Sequence, residues 1–201
     1  MGSLAAMLVL AQLDMCTGHC TEFDIHLRAA RDLMRLYWER PAQIGFVEQR
    51  LIWLDLMSST TSSRRPAFDL EETIEYLTRA GLQKSPSLAF PCSSEIFVTL
   101  ASAIHYHKSH VGSNDDKAAS LLKAYEFCRT LRYYVVPQTV SQKEKSLTEC
   151  YRNGALLFIN GLFERPSRSE ETKEAIDIIL RHVDALTSID PKQNFLLWPL
   201  Y

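Results

Sequence analysis

The sequence predicts an all-α protein, an irregular array of about eight antiparallel-packed helices. Three observations predict it. Apolar residues recur at steps of three and four along most of the chain, the period of a helix with one buried face. Glycines, prolines and capping pairs punctuate these stretches where helices stop and start. The strand-like patch Tyr133-Tyr134-Val135-Val136 is short and has no second candidate to pair with.

The first helix is expected over residues 4–16, and Gly18 stops it. The second carries Phe23, Leu27, Ala30, Met34 and Tyr37 at spacings of 4, 3, 4 and 3, with Arg28, Arg31, Asp32 and Arg35 largely off that stripe. Pro41 separates it from a third, near residues 43–57. This helix is apolar on more than one side, through Phe46, Val47, Leu51, Ile52, Trp53, Leu54, Leu56 and Met57. Such a helix belongs at the centre, covered by its neighbours. A polar loop over residues 58–66 follows. Asp69 with Glu72 makes a capping-box-like start for a short helix that Gly81 ends. Pro86 and Pro91 mark residues 83–91 as loop.

Ser93 or Ser94 caps the next helix, with Phe97, Leu100, Ala101 and Ile104 pointing inward. The turn at residues 112–116 leads into a helix over 117–132, whose inward set is Leu121, Leu122, Tyr125, Cys128 and Leu131, and which Pro137 closes. A helix over 141–163 places Leu147, Tyr151, Phe158 and Leu162 on one face, and Pro166 breaks it. Ser167 and Glu170 offer another capping box; Ile176, Ile179, Val183 and Leu186 line the last long helix, which Pro191 ends. Helix pairs of this length suggest a repeat solenoid, but no Trp, Gly or Pro signature recurs, so an irregular array fits better.

Composition narrows the class. The 201 residues are 46% hydrophobic and 23% charged, as in ordinary soluble globular proteins, and one domain is expected over residues 1–201. Twenty-two basic residues against 24 acidic ones leave no surplus for coating nucleic acid. Five scattered cysteines suit a reducing compartment, not a disulfide framework. The apolar start lacks a basic leader, and Gln12 and Asp14 interrupt it. Ala6 stands where a myristoylation signal needs Ser or Thr. No apolar run is long enough to cross a membrane.

Candidate chemistry is sparse, and no catalytic, cofactor-binding or metal-binding residue is assigned. Cys16, His19 and Cys20 lie close together, but the next cysteine is far away and Gly18 interrupts the helix between them, so buried or structural thiols are expected. His105, His107 and His110 do not share one helix face and fit a solvated helix end, where the dipole favours histidine. Asp115-Asp116 has no third carboxylate at helical spacing and reads as a turn and cap. Trp38, Trp53 and Trp198 occupy apolar positions and read as core. Arg64-Arg65 is too short for a nucleic-acid patch. Asp55 stands out, a carboxylate amid Trp53, Leu54, Leu56 and Met57. It needs a partner, and an arginine or a helix N-terminus is expected. There is no glycine-rich phosphate loop or nucleophile elbow.

Several ordered segments resemble one family. Phe23-Asp24-Ile25-His26-Leu27-Arg28-Ala29-Ala30 is similar to a Trp-x-x-His-Leu-x-Gly-Ala segment of fungal-specific transcription factors. The stretch from Phe46 through Trp53-Leu54-Asp55, with Thr60-Thr61 and Arg64-Arg65-Pro66 after it, resembles the family's approach to a Ser/Thr-rich loop. Pro91-Cys92 ahead of Glu95-Ile96-Phe97, Glu149-Cys150-Tyr151-Arg152-Asn153-Gly154-Ala155-Leu156, and Asn194-Phe195-Leu196-Leu197-Trp198-Pro199-Leu200 resemble three further segments in the same order. The family is the helical regulatory domain of fungal binuclear zinc-cluster activators. The resemblance implies a nuclear, non-enzymatic role in transcriptional control. It also implies a homo- or heterodimer with zinc-cluster transcription factors, or a small-molecule effector. The six-cysteine zinc module is not present: the cysteine gaps are 4, 72, 36 and 22, so no direct DNA contact by this chain is expected. Family members continue beyond the segment that closes this sequence. A regulatory domain incomplete at its C-terminal end is therefore expected, with apolar surface left on the last helix and tail.

Overall fold

The computed structural model describes residues 2–36, 45–79, 90, 92–110, 117–165 and 169–186. They form eight helices, with no strand among the described residues. The protein is all-α, and the patch at residues 133–136 is the end of a helix and an irregular segment. The chain divides into two compact units, Met1–Gly81 and Leu82–Tyr201.

The first unit holds α1 (Gly2–Thr17), α2 (Cys20–Leu36), α3 (Phe46–Thr60) and α4 (Leu70–Arg79). Gly18 turns the chain between α1 and α2 at φ 78°, a left-handed conformation that glycine adopts without strain. The helices then pack along their length through Leu4, Leu8 and Ala11 on one side and Phe23, Leu27, Ala30 and Met34 on the other, all buried. The stripe read from α2 is therefore the observed one, apart from Tyr37, which lies outside the described residues. Helix α3 is buried without interruption from Leu51 to Met57 and packs on α1, α2 and α4. It is the central helix its composition predicts, although Phe46 at its start is exposed.

Helix α3 also runs three residues past the expected end at Met57. Hydroxyl groups hold the extra turn: Ser58 and Ser59 donate to the Asp55 carbonyl at 3.0 and 2.8 Å, and Thr60 donates to that of Met57 at 2.6 Å. Thr60 satisfies a carbonyl of the last turn, and Ser58 and Ser59 back-bond to one inside the helix. Helix α4 starts with the expected box. The Glu72 N–H donates to Asp69 Oδ1 at 2.9 Å, and the Asp69 N–H donates to Glu72 Oε2 at 3.0 Å. The same acids bind α2: Arg31 reaches Glu72 at 3.0 Å and Asp69 at 3.5 Å, and Arg35 pairs with Glu72. Gly81 lies outside the described residues.

The second unit holds α5 (Ser94–His110), α6 (Lys117–Tyr133), α7 (Gln142–Leu162) and α8 (Ser169–Asp184), with α7 packed against the other three. Ser141 caps α7 in a reciprocal box with Glu144. Phe97, Leu100, Ala101 and Ile104 of α5 are buried, as expected, and Phe90 meets Phe97 edge-on at 4.7 Å.

Three expected faces need correction. On α6, Leu122 and Tyr125 are exposed, and Ala124, Cys128 and Leu131 form the buried set. On α8, Ile176 is exposed and Ala175 is buried with Ile179, while Leu186, also buried, lies just past the end of the helix. On α7, Leu147 and Tyr151 are buried, but Phe158 and Leu162 are only half-buried, and Ser146, Thr148, Cys150, Asn153, Gly154, Ala155 and Ile159 complete the buried set. Ser167, Pro166, Pro191 and the turn at residues 112–116 lie outside the described residues.

Candidate functional site

The first unit is built around the buried carboxylate. Asp55 is 2% exposed. Its Oδ1 accepts from Arg64 Nη2 at 2.7 Å and from the Ala67 N–H at 2.9 Å; its Oδ2 accepts from the Phe68 N–H at 3.0 Å. The expected arginine is present. The backbone donors come from the loop ahead of α4, not from a helix N-terminus. Burial pushes the Asp55 carboxyl above its ordinary value, while Arg64 and the two N–H groups pull it back down. Both oxygens are thus committed to fixing the loop on α3.

Arg64 extends the network. Its Nη2 donates to the Asp55 carbonyl at 2.6 Å and to the Ser58 hydroxyl; its Nη1 lies 3.7 Å from Asp24 of α2; and its guanidinium stands 5.3 Å from the Phe23 ring centroid. Phe23, Asp24, Asp55 and Arg64 belong to two sequence segments that share the family resemblance, and they meet here. Arg65 is exposed. The first residue of the Arg-Arg pair is a structural partner, and the sequence signal for it was the unexplained charge of Asp55. His26, from the same segment, reaches Asp14 of α1 at 3.4 Å.

The second unit carries an open cleft of about 370 Å³ along α7. Asn153, Leu156, Leu157 and Asn160 repeat at helical spacing to form its floor. Glu171, Glu174, Ala175 and Ile178 of α8 form one wall, and Arg132 of α6 stands opposite. Arg132 pairs with Glu171 at 2.7 Å, joining α6 to the first turn of α8. Arg152 pairs with Glu149, and Asn153 donates to the Glu149 carbonyl at 2.9 Å. Asn160 Oδ1 accepts from Arg165 Nη1 at 2.8 Å. Sequence reasoning named Glu149, Arg152, Asn153 and Leu156 only as part of a family-like segment, and did not single out the others or assign any of them to a site. The available signal was Asn153 and Asn160, two amides seven positions apart that flank the apolar run from Ala155 to Ile159 on α7.

The histidines do not converge. His110 stacks on Tyr106 at 4.2 Å, and its Nδ1 lies 2.7 Å from the Tyr106 carbonyl oxygen. His107 meets Phe163 edge-on at 5.6 Å; burial lowers its pKa and Lys108 adds to the effect. All three are half-buried, so the expected solvated helix end is instead the rim of an aromatic cluster with Tyr106, Phe127 and Phe163.

Cys16 is an exposed free thiol, not a buried one, and Thr17 Oγ1 lies 3.3 Å from His19 Nδ1. Trp53 is buried beneath the Arg50 guanidinium at 4.0 Å, in keeping with a core position. Trp38, Trp198, Asp115 and Asp116, and the side chain of Cys20, lie outside what the structure describes. Among the described residues no cluster of three or more His, Cys, Asp or Glu side chains could hold a metal ion. No helix among them is long and apolar enough to cross a membrane.

Residues 1–201 match the family described as the fungal specific transcription factor domain. No curated protein and no solved structure matches the chain. The match spans both helical units and all five segments of resemblance, four of which have residues described here: the chain belongs to the fungal-specific transcription factor domain family.

Proposed function

We propose that the chain is a non-enzymatic regulatory domain that acts in the nucleus by being bound. A small molecule or a partner protein favours one packing of the helices, and the shift passes to an attached or associated DNA-binding module. The observation that carries this reading is the family match over residues 1–201. Two features support it. The open α7 cleft has the volume of a small-molecule site and mixes apolar side chains (Leu156, Leu157, Ile178) with amides and charged groups. The buried carboxylate Asp55, the strongest chemical anomaly in the sequence, is fully committed to holding a loop.

DNA titration at physiological salt tests the reading. The isolated chain is expected to show no sequence-specific binding, because its 22 basic and 24 acidic residues give no net attraction to phosphate. Tight, sequence-selective binding would contradict it. A fluorescent fusion is expected in the nucleus, and steady exclusion from the nucleus would count against the reading. A second reading, an interaction scaffold that pairs with a full-length zinc-cluster regulator, draws support from the apolar outer face of α1. Reciprocal co-purification with a named, tagged regulator would favour it; a strictly monomeric, inert chain would remove it.

A further inference from the structure

The cleft along α7 carries its polar groups in a fixed order. Asn153, buried, donates through Nδ2 to the Glu149 carbonyl at 2.9 Å and to Glu149 Oε2 at 3.4 Å. Asn160 Oδ1 accepts from Arg165 Nη1 at 2.8 Å and from the Cys128 thiol at 3.5 Å. A carbonyl only accepts and an arginine only donates, so chemistry fixes which way each amide faces. Among the described residues nothing engages the other halves: an acceptor, Asn153 Oδ1, and a donor, Asn160 Nδ2. Two helical turns, about 10.5 Å along the axis, separate the two residues. Leu156 and Leu157, both half-buried, lie between them on the floor.

Helix α8 supplies the charge at one end. It runs antiparallel to α7: Cys150 Sγ meets the Ile179 carbonyl at 3.8 Å, and His182 Nδ1 lies 3.2 Å from Ser146 Oγ. That register brings Glu174 within one turn of Asn153, with Glu171 a turn further toward Asn160. The ion pairs then select the ligand. Glu171 neutralises Arg132 at 2.7 Å, and Glu149 neutralises Arg152. Glu174 lines the cleft with no cation paired to it among the described residues. A carboxylate entering here would have to displace Glu171 or Glu149 from its arginine and stand in the field of Glu174. A cation meets a carboxylate that is already waiting and an amide oxygen beside it.

We propose that the α7 cleft binds an elongated organic ammonium. Its charged head sits between Glu174 and Asn153 Oδ1, its apolar body lies on Leu156 and Leu157, and a hydrogen-bond acceptor at its far end takes the Asn160 Nδ2 proton. The inference names a ligand class for the small-molecule form of the reading above and rests on that reading only for its use in regulation.

Titration of the full chain with aminoheptanol, whose amine and hydroxyl stand at opposite ends of an alkyl chain of matching span, tests it by NMR. The side-chain amide signals of Asn153 and Asn160 are expected to shift and saturate. Heptylamine, which lacks the hydroxyl, is expected to bind more weakly, and hydroxyheptanoate, with a carboxylate in place of the amine, to leave both signals unmoved. Glu174→Lys, at an exposed position, is expected to keep the helical circular dichroism and weaken aminoheptanol at least about tenfold, with Glu174→Gln weakening it in the same direction. Glu170→Lys, exposed on the same helix and outside the cleft, is expected to bind as the wild type does. Aminoheptanol that gives no saturable shift at the two amides would overturn the proposal, as would hydroxyheptanoate binding as tightly, or equal losses from Glu170→Lys and Glu174→Lys. Because the titration reads the cleft directly, such a failure removes the ligand class and leaves the regulatory reading to the DNA and localisation tests above.

Discussion

One residue, Asp55, organises the first unit. A carboxylate with 2% exposure is tolerated because Arg64 and the Ala67 and Phe68 N–H groups replace its water. Removing the arginine leaves a buried charge uncompensated, a change that costs about 3 kcal/mol or more. Arg64→Ala is therefore expected to lower the urea midpoint sharply. Arg65→Ala, at the exposed neighbour, is expected to fall within about 0.5 kcal/mol of the wild type. The need for a partner was legible from Asp55 alone. Its identity was legible only as a residue type, since the loop that returns Arg64 to α3 depends on tertiary packing.

The thiols give a second residue-scale expectation. Cys16 is exposed, whereas Cys92, Cys128 and Cys150 are buried. Alkylation of the native chain near neutral pH is expected to modify Cys16 first, with the three buried thiols reacting only on unfolding. Burial, with a smaller contribution from Glu149, pushes the Cys150 thiol from its ordinary 9.0 up to about 12. The unfolded thiol ionises first, so the stabilisation from keeping Cys150 neutral is full below about pH 9 and is lost as pH rises toward 12. The stability difference between wild type and Cys150→Ala is expected to shrink over that window when urea unfolding is followed against pH.

At the scale of the element, helical periodicity located the eight helices among the described residues but needed correction on three faces, two of them for the same reason. On α6 and α8 an alanine sits beside a bulkier residue, Ala124 beside Tyr125 and Ala175 beside Ile176, and in each case the alanine is buried. Adjacent positions differ by about 100° around a helix, so the pattern alone supports either stripe. The deciding quantity is how closely the neighbouring helix approaches, which no single-helix pattern contains. Ala175→Leu is expected to cost about 1–3 kcal/mol by overpacking, while Ile176→Ala is expected to stay within about 0.5 kcal/mol, both read by urea unfolding. The reverse ranking would restore the face read from the sequence. The end of α3 was misjudged for a related reason. Its serines and threonines read as loop, yet their hydroxyls back-bond to the helix.

For the whole molecule, the fold class was legible because it sums many weak signals that agree: period, caps, stops and the lack of a paired strand. The ordered segments made the family legible, and the full-length match agrees with them. The α7 cleft was not legible, because its lining comes from three helices whose mutual placement no local pattern encodes. Two ion pairs, Asp55 with Arg64 and Glu149 with Arg152 within α7, fall inside segments that carry the resemblance. Regulation by binding, proposed above, is the central claim.

Transcription from a reporter gene in fungal cells tests that claim most directly, with the chain fused to an unrelated DNA-binding module. The fusion is expected to shift reporter output away from that of the module alone, and Arg64→Ala, which loosens the first unit, is expected to return it toward the module's level. A folded, nuclear fusion whose output equals that of the bare module would contradict the account.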